Sequence, residues 1–179
     1  VCAQLALKAG RPVQIVLSRE EMFTAARRAR SGVISIKSGV SKDGELLARQ
    51  AKVVFDSGAY ADWGPGTTIL GTLYATGPYR IPNVQLEGYC VYTNRAALTS
   101  FRAPGLPSVA FAVESHMDRI AEELAIDPLE LRKRNVMQAG DFHPVVGRLE
   151  KSSAAAVLEA AAEAIEWGKP STSPHRAKG

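Results

Sequence analysis

Cysteine is scarce in this sequence of 179 residues, which contains only Cys2 and Cys90. The two cysteines form no CxxC pair, and no histidine stands at zinc-ligand spacing from either of them. This pattern argues against a structural zinc site and a disulfide framework, and it is compatible with a reducing compartment. Cys90 alternates with apolar residues, which predicts a small buried side chain rather than a nucleophile.

Long apolar runs and a large excess of one charge are also missing. No run approaches the roughly 18 apolar residues of a membrane-spanning helix. The net charge of +4 is mild for a protein that binds nucleic acids. Arg27, Arg28 and Arg30 form the one basic cluster, which we interpret as a solvated helix end. Weak RNA or DNA binding is a minor alternative, and its affinity would fall steeply with salt.

The two ends of the sequence resemble the interior of a longer chain. Position 1 is valine, and "VCAQLALKAGRP" has the pattern of a helix that is already under way, without a cap or a charged leader. The last residues, "SPHRAKG", form no closing element. We therefore expect an internal fragment, with residues 1–168 belonging to one domain and 169–179 forming a linker to the next segment.

Helix and strand periodicities alternate along the chain. The predicted elements are a helix over Val1–Ala9, a strand over Val13–Leu17, a helix from Ser18 to about Ala26, a strand in "GVISIKSGV", a strand over Leu46–Ser57, a short helix near Thr68–Tyr74, a strand over Val84–Asn94, a helix along Leu106–Leu124, a helix from Asp127 and an alanine-rich helix over Ser153–Trp167. A polar loop is expected from about Gln138. Asp43-Gly44 predicts a hairpin turn. Together the predicted helices and strands indicate an α+β fold, a mostly antiparallel sheet with helices packed against it.

Several motifs that suggest chemistry have simpler explanations. "GPGTTILG" at Gly64–Gly71 lacks the GK[ST] ending of a phosphate-binding loop and favours a plain turn. His116 lies within a helix pattern and His143 lies in a loop, and neither has a ligand partner three or four residues away. No Ser-His-Asp set is present. We predict no metal ligand and no catalytic residue within this chain.

Arg102 is the strongest candidate for a binding residue. It lies in the turn "FRAPG", directly before the helix that Pro107-Ser108 opens. The free N–H groups of a helix start favour an anion, and a guanidinium adds a planar set of donors that suits phosphate or oxo groups. Ala103 and Gly105 are small, so a ligand could approach the backbone closely. A surface arginine in an ordinary turn is the alternative.

Six segments carry a family resemblance when they are taken in order. They are "AGRPVQIVLSREEMF", "DSGAY", "ATGPYRIPNV", "VYTN", "SFRAPG" and "AFAVESHMDRIAEELAIDPLELRKRN". In this order they resemble the large, molybdenum-cofactor-binding subunit of the xanthine dehydrogenase/aldehyde oxidase family, over roughly residues 5–168. The expected fold is therefore part of a larger molybdenum-binding domain.

The resemblance implies a hydroxylase that acts on a carbon atom next to a nitrogen or oxygen atom. Water supplies the oxygen of the new hydroxyl group. Its cofactor is molybdenum held by molybdopterin or by the cytosine dinucleotide form, and its electrons leave through iron–sulfur clusters to FAD on partner domains or subunits. Arg102 would lie beside this cofactor, and Phe101, Ala103, Pro104 and Gly105 would shape the same wall. The family's general-base glutamate and Gly-rich cofactor segment fall outside this sequence, so we expect the chain to be inactive alone.

Two departures from the family pattern bear on the substrate. Many relatives carry glycine and an aromatic residue after the arginine, whereas this sequence has Ala103 and Pro104. Purine-oxidising members tend to carry an arginine where this sequence has Ile69-Leu70-Gly71. Both departures favour an aldehyde or an N-heteroaromatic substrate over xanthine.

Partners and location follow from the same resemblance. The expected partners are the rest of the large subunit, iron–sulfur and FAD subunits and a small organic substrate, in the cytoplasm or alternatively the periplasm. Apolar surface that the rest of the subunit would cover is expected to be exposed here. A non-catalytic scaffold or protein-interaction module is the competing function.

Overall fold

The computed structural model describes residues 1–169 of the chain. Its elements, in order, are α1 (Cys2–Ala9), α2 (Arg19–Ala25), β1 (Gly32–Val40), β2 (Leu46–Gly58), α3 (Gly64–Leu73), a 3-10 turn (Tyr74–Thr76), β3 (Asn83–Tyr92), α4 (Leu106–Leu124), α5 (Pro128–Asn135), β4 (Phe142–His143), β5 (Gly147–Arg148) and α6 (Ala154–Ala164). Of the predicted linker over 169–179, residues 170–179 lie outside the described part of the chain.

The helix boundaries follow from short-range chemistry that the sequence shows directly. Ser18 and Glu21 form the reciprocal capping box, with bonds of 2.7 Å from the Ser18 N–H to Glu21 and 3.2 Å from the Glu21 N–H to the Ser18 hydroxyl. The carboxylate of Asp127 accepts from two N–H groups of the first turn of α5. Gly10 ends α1 with a φ of 64°. The predicted helix starts at Ser18 and Asp127 and the predicted end of the first helix at Ala9 are confirmed.

The central sheet is mixed, so the prediction of a mostly antiparallel sheet is wrong for β3. Strand β2 lies in the middle, antiparallel to β1 and parallel to β3. The connection from β2 to β3 runs through α3, and this crossover brings β3 back in the same direction as β2. The alternation of side chains locates a strand but says nothing about its direction, which is why the sequence missed this.

The hydrophobic core lies between one face of the sheet and α4. From β2, Val53 and Phe55 are buried against Val109, Val113 and Met117 of α4. The helix predicted along Leu106–Leu124 is therefore confirmed, and its apolar stripe faces the sheet. Each fully buried side chain of this size contributes about 1.5–3 kcal/mol. The Phe55 ring also lies close to Gly105 in the turn before α4, so the core helps to position that turn.

Three other local predictions need correction. No strand forms over Val13–Leu17, and Val16 is 77% exposed, because an apolar run forms a strand only where a partner strand is available. "GPGTTILG" is helical and opens α3, since Pro65 fits the first turn of a helix. The predicted polar loop after Gln138 contains the short hairpin of β4 and β5.

Candidate functional site

A carboxylate at the end of β2 holds the segment that leads to Arg102. Oδ1 of Asp56 accepts from the Thr93 hydroxyl at 2.6 Å and from the Gly58 N–H at 2.7 Å. Arg95 lies 3.5 Å from Oδ2 of Asp56. These hydrogen bonds, that of Thr93 first, hold the pKa of Asp56 below its usual value. The "DSGAY" and "VYTN" segments are thereby joined at the base of the site.

The turn after this segment has an unusual backbone. Ala103 has a φ of 57° and Gly105 a φ of 78°. The N–H of Leu106 donates to the Ala103 carbonyl at 3.1 Å, and the N–H of Val109 donates to the Gly105 carbonyl at 3.2 Å, which begins α4. A Cβ at Gly105 would lie 3.1 Å from both the Phe55 ring and the Thr67 carbonyl, so this position requires glycine.

We expect Ala103→Gly to raise the free energy of unfolding by about 0.5–1 kcal/mol, because the left-handed conformation strains alanine and not glycine. Ala125, at the end of α4, has a φ of 52° and should respond to glycine in the same way. Ala110 lies within α4, where glycine should instead cost about 0.5–1 kcal/mol. Urea denaturation of the three variants measures these values, and a destabilised Ala103→Gly would contradict the argument.

The turn borders a recess of about 240 Å³. Its lining includes the buried side chain of Phe55, Thr67 of α3, Ser108 of α4, and Arg30 from the segment before β1. The hydroxyl groups of Thr67 and Ser100 are in hydrogen-bond contact at its edge. Among the described residues that line the recess, none is acidic. The walls therefore carry excess positive charge.

Four of the five residues predicted as cofactor-binding line this recess, namely Phe101, Arg102, Ala103 and Gly105. Pro104 lies in the same turn and is half-buried. The ring of Phe101 is 84% exposed. Within residues 1–169, neither a hydrogen bond nor an ion pair holds the guanidinium of Arg102, which is exposed at the recess. Whether these residues bind a cofactor stays a prediction.

Arg30 is the site residue that sequence reasoning missed. Its only signal was the basic cluster at residues 27–30, and the structure separates the arginines of that cluster. Arg27 pairs with Asp62 at 2.7 Å, and Arg28 donates to the Phe23 carbonyl at 3.2 Å. Arg30 instead faces the recess, where its Nε and Nη2 atoms are buried without a hydrogen-bond partner. These two orphaned donors fit an anionic ligand.

The two histidines that the sequence singled out lie outside the recess lining, in contact with neighbouring protein groups. Nε2 of His116 lies 3.1 Å from the Ser38 hydroxyl, and burial, with the charges of Arg49 and Arg119, lowers its pKa. His143 is buried, its Nδ1 accepts from the Val145 N–H at 3.1 Å, and burial lowers its pKa. In the described part of the chain no group of three or more metal-binding side chains comes together.

The sequence also raised the state of the two cysteines and the presence of membrane-spanning helices. Cys2 is exposed, Cys90 is half-buried, and both are free thiols. Among the helices of residues 1–169, none combines the length and the apolarity that crossing a bilayer requires.

Comparison with known proteins gives consistent matches. Residues 1–136 match the family model of the molybdopterin cofactor-binding domain. A probable xanthine dehydrogenase subunit from Bacillus subtilis (strain 168) is 42% identical over 154 residues, which cover 86% of this chain and 21% of that protein. The nicotinate dehydrogenase large molybdopterin subunit of Eubacterium barkeri is 37% identical over 139 residues, covering 78% of this chain and 33% of that protein.

A solved structure of a related protein has a similar fold. The aldehyde oxidoreductase from Desulfovibrio gigas superposes with a TM-score of 0.77 at 31% identity, covering 94% of this chain and 19% of that one. The chain thus spans about a fifth to a third of the length of these relatives.

Proposed function

This chain belongs to the molybdopterin cofactor-binding domain family, and we propose that it supplies one wall of the molybdenum site in the large subunit of a hydroxylase. The substrate is an aldehyde or an N-heteroaromatic compound, and water supplies the oxygen. The overall reaction converts a C–H bond and one water molecule into C–OH, two protons and two electrons. Iron–sulfur clusters and FAD on partner domains or subunits carry the electrons away.

One observation carries this proposal: the positively charged recess beside α4 has no internal counter-charge among its described lining residues. Arg102 borders it, and the buried Nε and Nη2 atoms of Arg30 have no partner. A cofactor with phosphate and oxo groups offers the acceptors that these donors lack. When bound, the molybdenum cofactor supplies the two-electron redox chemistry. In the proposal, Arg102 binds its anionic groups, while Phe101 and the backbone of residues 103–105 shape its wall.

The substrate class is supported by residues of α3. Gly71 is buried, and a Cβ there would lie 2.7 Å from the Phe55 ring, so no arginine fits at this position. Ile69 is 60% exposed and lies in a different recess, with Cys90. A purine-binding arginine is thus absent from this helix, whose sequence is "GPGTTILGTL". The relatives include an aldehyde oxidoreductase and a nicotinate dehydrogenase subunit as well as a probable xanthine dehydrogenase subunit, so the choice of substrate class rests on α3.

The experiment requires the full-length protein purified with its companion subunits. We expect molybdenum in the wild-type preparation and incorporation of ¹⁸O from labelled water into an aldehyde or N-heteroaromatic substrate. Replacing Arg102 by alanine should lower cofactor occupancy or turnover about tenfold to hundredfold, because a hydrogen bond to a charged group contributes about 1.5–3 kcal/mol. Molybdenum content, measured by mass spectrometry, and dye-coupled turnover report the two quantities separately.

Arg119→Ala is the matched control, since Arg119 is an exposed arginine of α4 outside the recess lining. The 179-residue chain by itself is expected to show no turnover. A full-length protein that binds no molybdenum would instead support the competing function, a non-catalytic scaffold or interaction module. The exposed apolar side chains Phe111 and Phe142 would then contact a protein partner. A cytoplasmic location stays part of the proposal.

A further inference from the structure

Arg30 reaches the recess because two distant segments are tied together. The Thr99 N–H donates to the Arg28 carbonyl at 2.9 Å, and Ala29 pairs with Thr99 as an isolated parallel bridge. This contact places the residue after Ala29 beside the turn that carries Arg102. Neither position predicts the other from the sequence, since about seventy residues separate them.

Within residues 1–169, only one nitrogen of the Arg30 guanidinium has protein acceptors. Nη1 lies 3.4 Å from the Asp56 carbonyl and 3.3 Å from the Ser57 hydroxyl, both at the long end of the hydrogen-bond range. Nε and Nη2 are buried and have none. The nearby carboxylate of Asp56 already accepts from Thr93 and Gly58 and pairs with Arg95. The described residues thus leave two of the three guanidinium nitrogens of the half-buried Arg30 without an acceptor.

A buried N–H group without an acceptor is unfavourable, and a fold retains one where a ligand supplies the acceptor. Nε–H and Nη2–H lie side by side on the planar guanidinium, which is the arrangement that binds two oxygens of one phosphate or carboxylate. The recess that Arg30 lines holds a second arginine, Arg102, and no acidic side chain among its described lining. Its volume of about 240 Å³ admits a small anion.

We propose that Arg30 is a ligand-binding residue, whose Nε–H and Nη2–H donate to two oxygens of one oxyanion, a phosphate or a carboxylate, in the recess shared with Arg102. The inference deepens the proposed function, on which it rests for the identity of the natural ligand: a phosphate would come from the cofactor, and a carboxylate from the substrate. Its test needs neither molybdenum nor turnover.

The experiment titrates the cofactor-free protein with inorganic phosphate and with benzoate by calorimetry, on the 179-residue chain and on the full-length subunit. Arg30→Met removes both donors at similar length, and Arg30→Lys keeps the charge without the paired donors. Arg28→Met is the matched control, because Arg28 is a neighbouring exposed arginine outside this recess. We expect Arg30→Met to weaken binding about tenfold to hundredfold, Arg30→Lys to weaken it less, and Arg28→Met to leave it unchanged.

Thermal unfolding without any anion supplies a second readout. A residue with a purely structural role would lower the melting temperature when replaced, whereas Arg30→Met should keep or raise it, because two buried N–H groups without acceptors are removed. Phosphate should then raise the melting temperature of the wild type and not that of the variant. Preference for phosphate indicates the cofactor as the source of the oxyanion, and preference for benzoate indicates the substrate.

Three results would overturn the inference: neither probe binds, Arg30→Met binds as tightly as the wild type, or binding to the chain disappears in the full-length subunit because a protein carboxylate already occupies Arg30. Failure of the proposed function is separate, since it appears as a full-length protein without molybdenum, whatever the phosphate titration shows.

Discussion

Replacing Arg49 by alanine is expected to lower the free energy of unfolding by about 4 kcal/mol. Arg49 is 2% exposed and lies on the core face of β2. Its Nη1 donates to the carbonyls of Ala75 and Thr76 at 3.3 and 2.8 Å, and its Nε donates to the Ser38 hydroxyl at 3.2 Å. Alanine would leave a cavity and buried acceptors without donors.

The charge of Arg49 itself contributes little to this expected loss. Burial lowers the pKa of Arg49 to about 10, against the opposing effects of Tyr79 and Glu114, so the guanidinium stays protonated at neutral pH but is unfavourably desolvated. Arg49→Met removes that desolvation and retains most of the volume, and we expect it to lose only about half as much stability as alanine.

Urea denaturation at neutral pH measures both variants, with Arg119→Ala as the exposed control and an expected change below about 0.5 kcal/mol. A loss below about 1 kcal/mol for Arg49→Ala would mean that water replaces the guanidinium as donor to Ala75 and Thr76.

Asn135→Ala is expected to lower the free energy of unfolding by about 3 kcal/mol. Asn135 is 3% exposed at the end of α5. Its Oδ1 accepts from the Leu46 N–H at 2.8 Å, and its Nδ2 donates to the Gly44 carbonyl at 2.7 Å and to the Leu131 carbonyl at 2.8 Å. One amide thus satisfies the backbone of the β1–β2 hairpin from a distant helix, and alanine would leave these groups buried and unpaired.

Asn83 provides the matched control, because its amide also donates to a backbone carbonyl, that of Leu47 at 3.0 Å, but is exposed. Water replaces the lost bond there, so we expect Asn83→Ala to change stability by less than about 1 kcal/mol. Equal losses for the two variants would show that burial does not decide the effect.

Much of the fold could be predicted where one segment contains its own determinants. The capping box at Ser18, the cap at Asp127 and the apolar stripe of α4 each depend on residues within a few positions. The direction of β3 could not be predicted, because it depends on the path of the crossover through α3. The same holds for Val13–Leu17, where composition favours a strand but no partner strand pairs with it in residues 1–169.

The same distinction between local and long-range determinants holds for the candidate site. Arg102 was predicted because it, the glycine and the helix start are adjacent in the chain. Outside the site, in the core, the structural roles of Arg49 and Asn135 were hidden from the sequence. Their hydrogen-bond partners come from segments far along the chain. The strain at Ala103 was also hidden, because the residue type does not show that this alanine adopts a φ of 57°.

The sequence by itself determined the family, most helix boundaries and the turn that carries Arg102, because these depend on residue order and on interactions within a few positions. Only the tertiary structure decided that Arg30 faces the same recess as Arg102 and has two nitrogens without acceptors. Two charges far apart in a chain become one site only when the packing between them is complete, and burial, which makes an N–H group without an acceptor unfavourable, exists only in the folded protein.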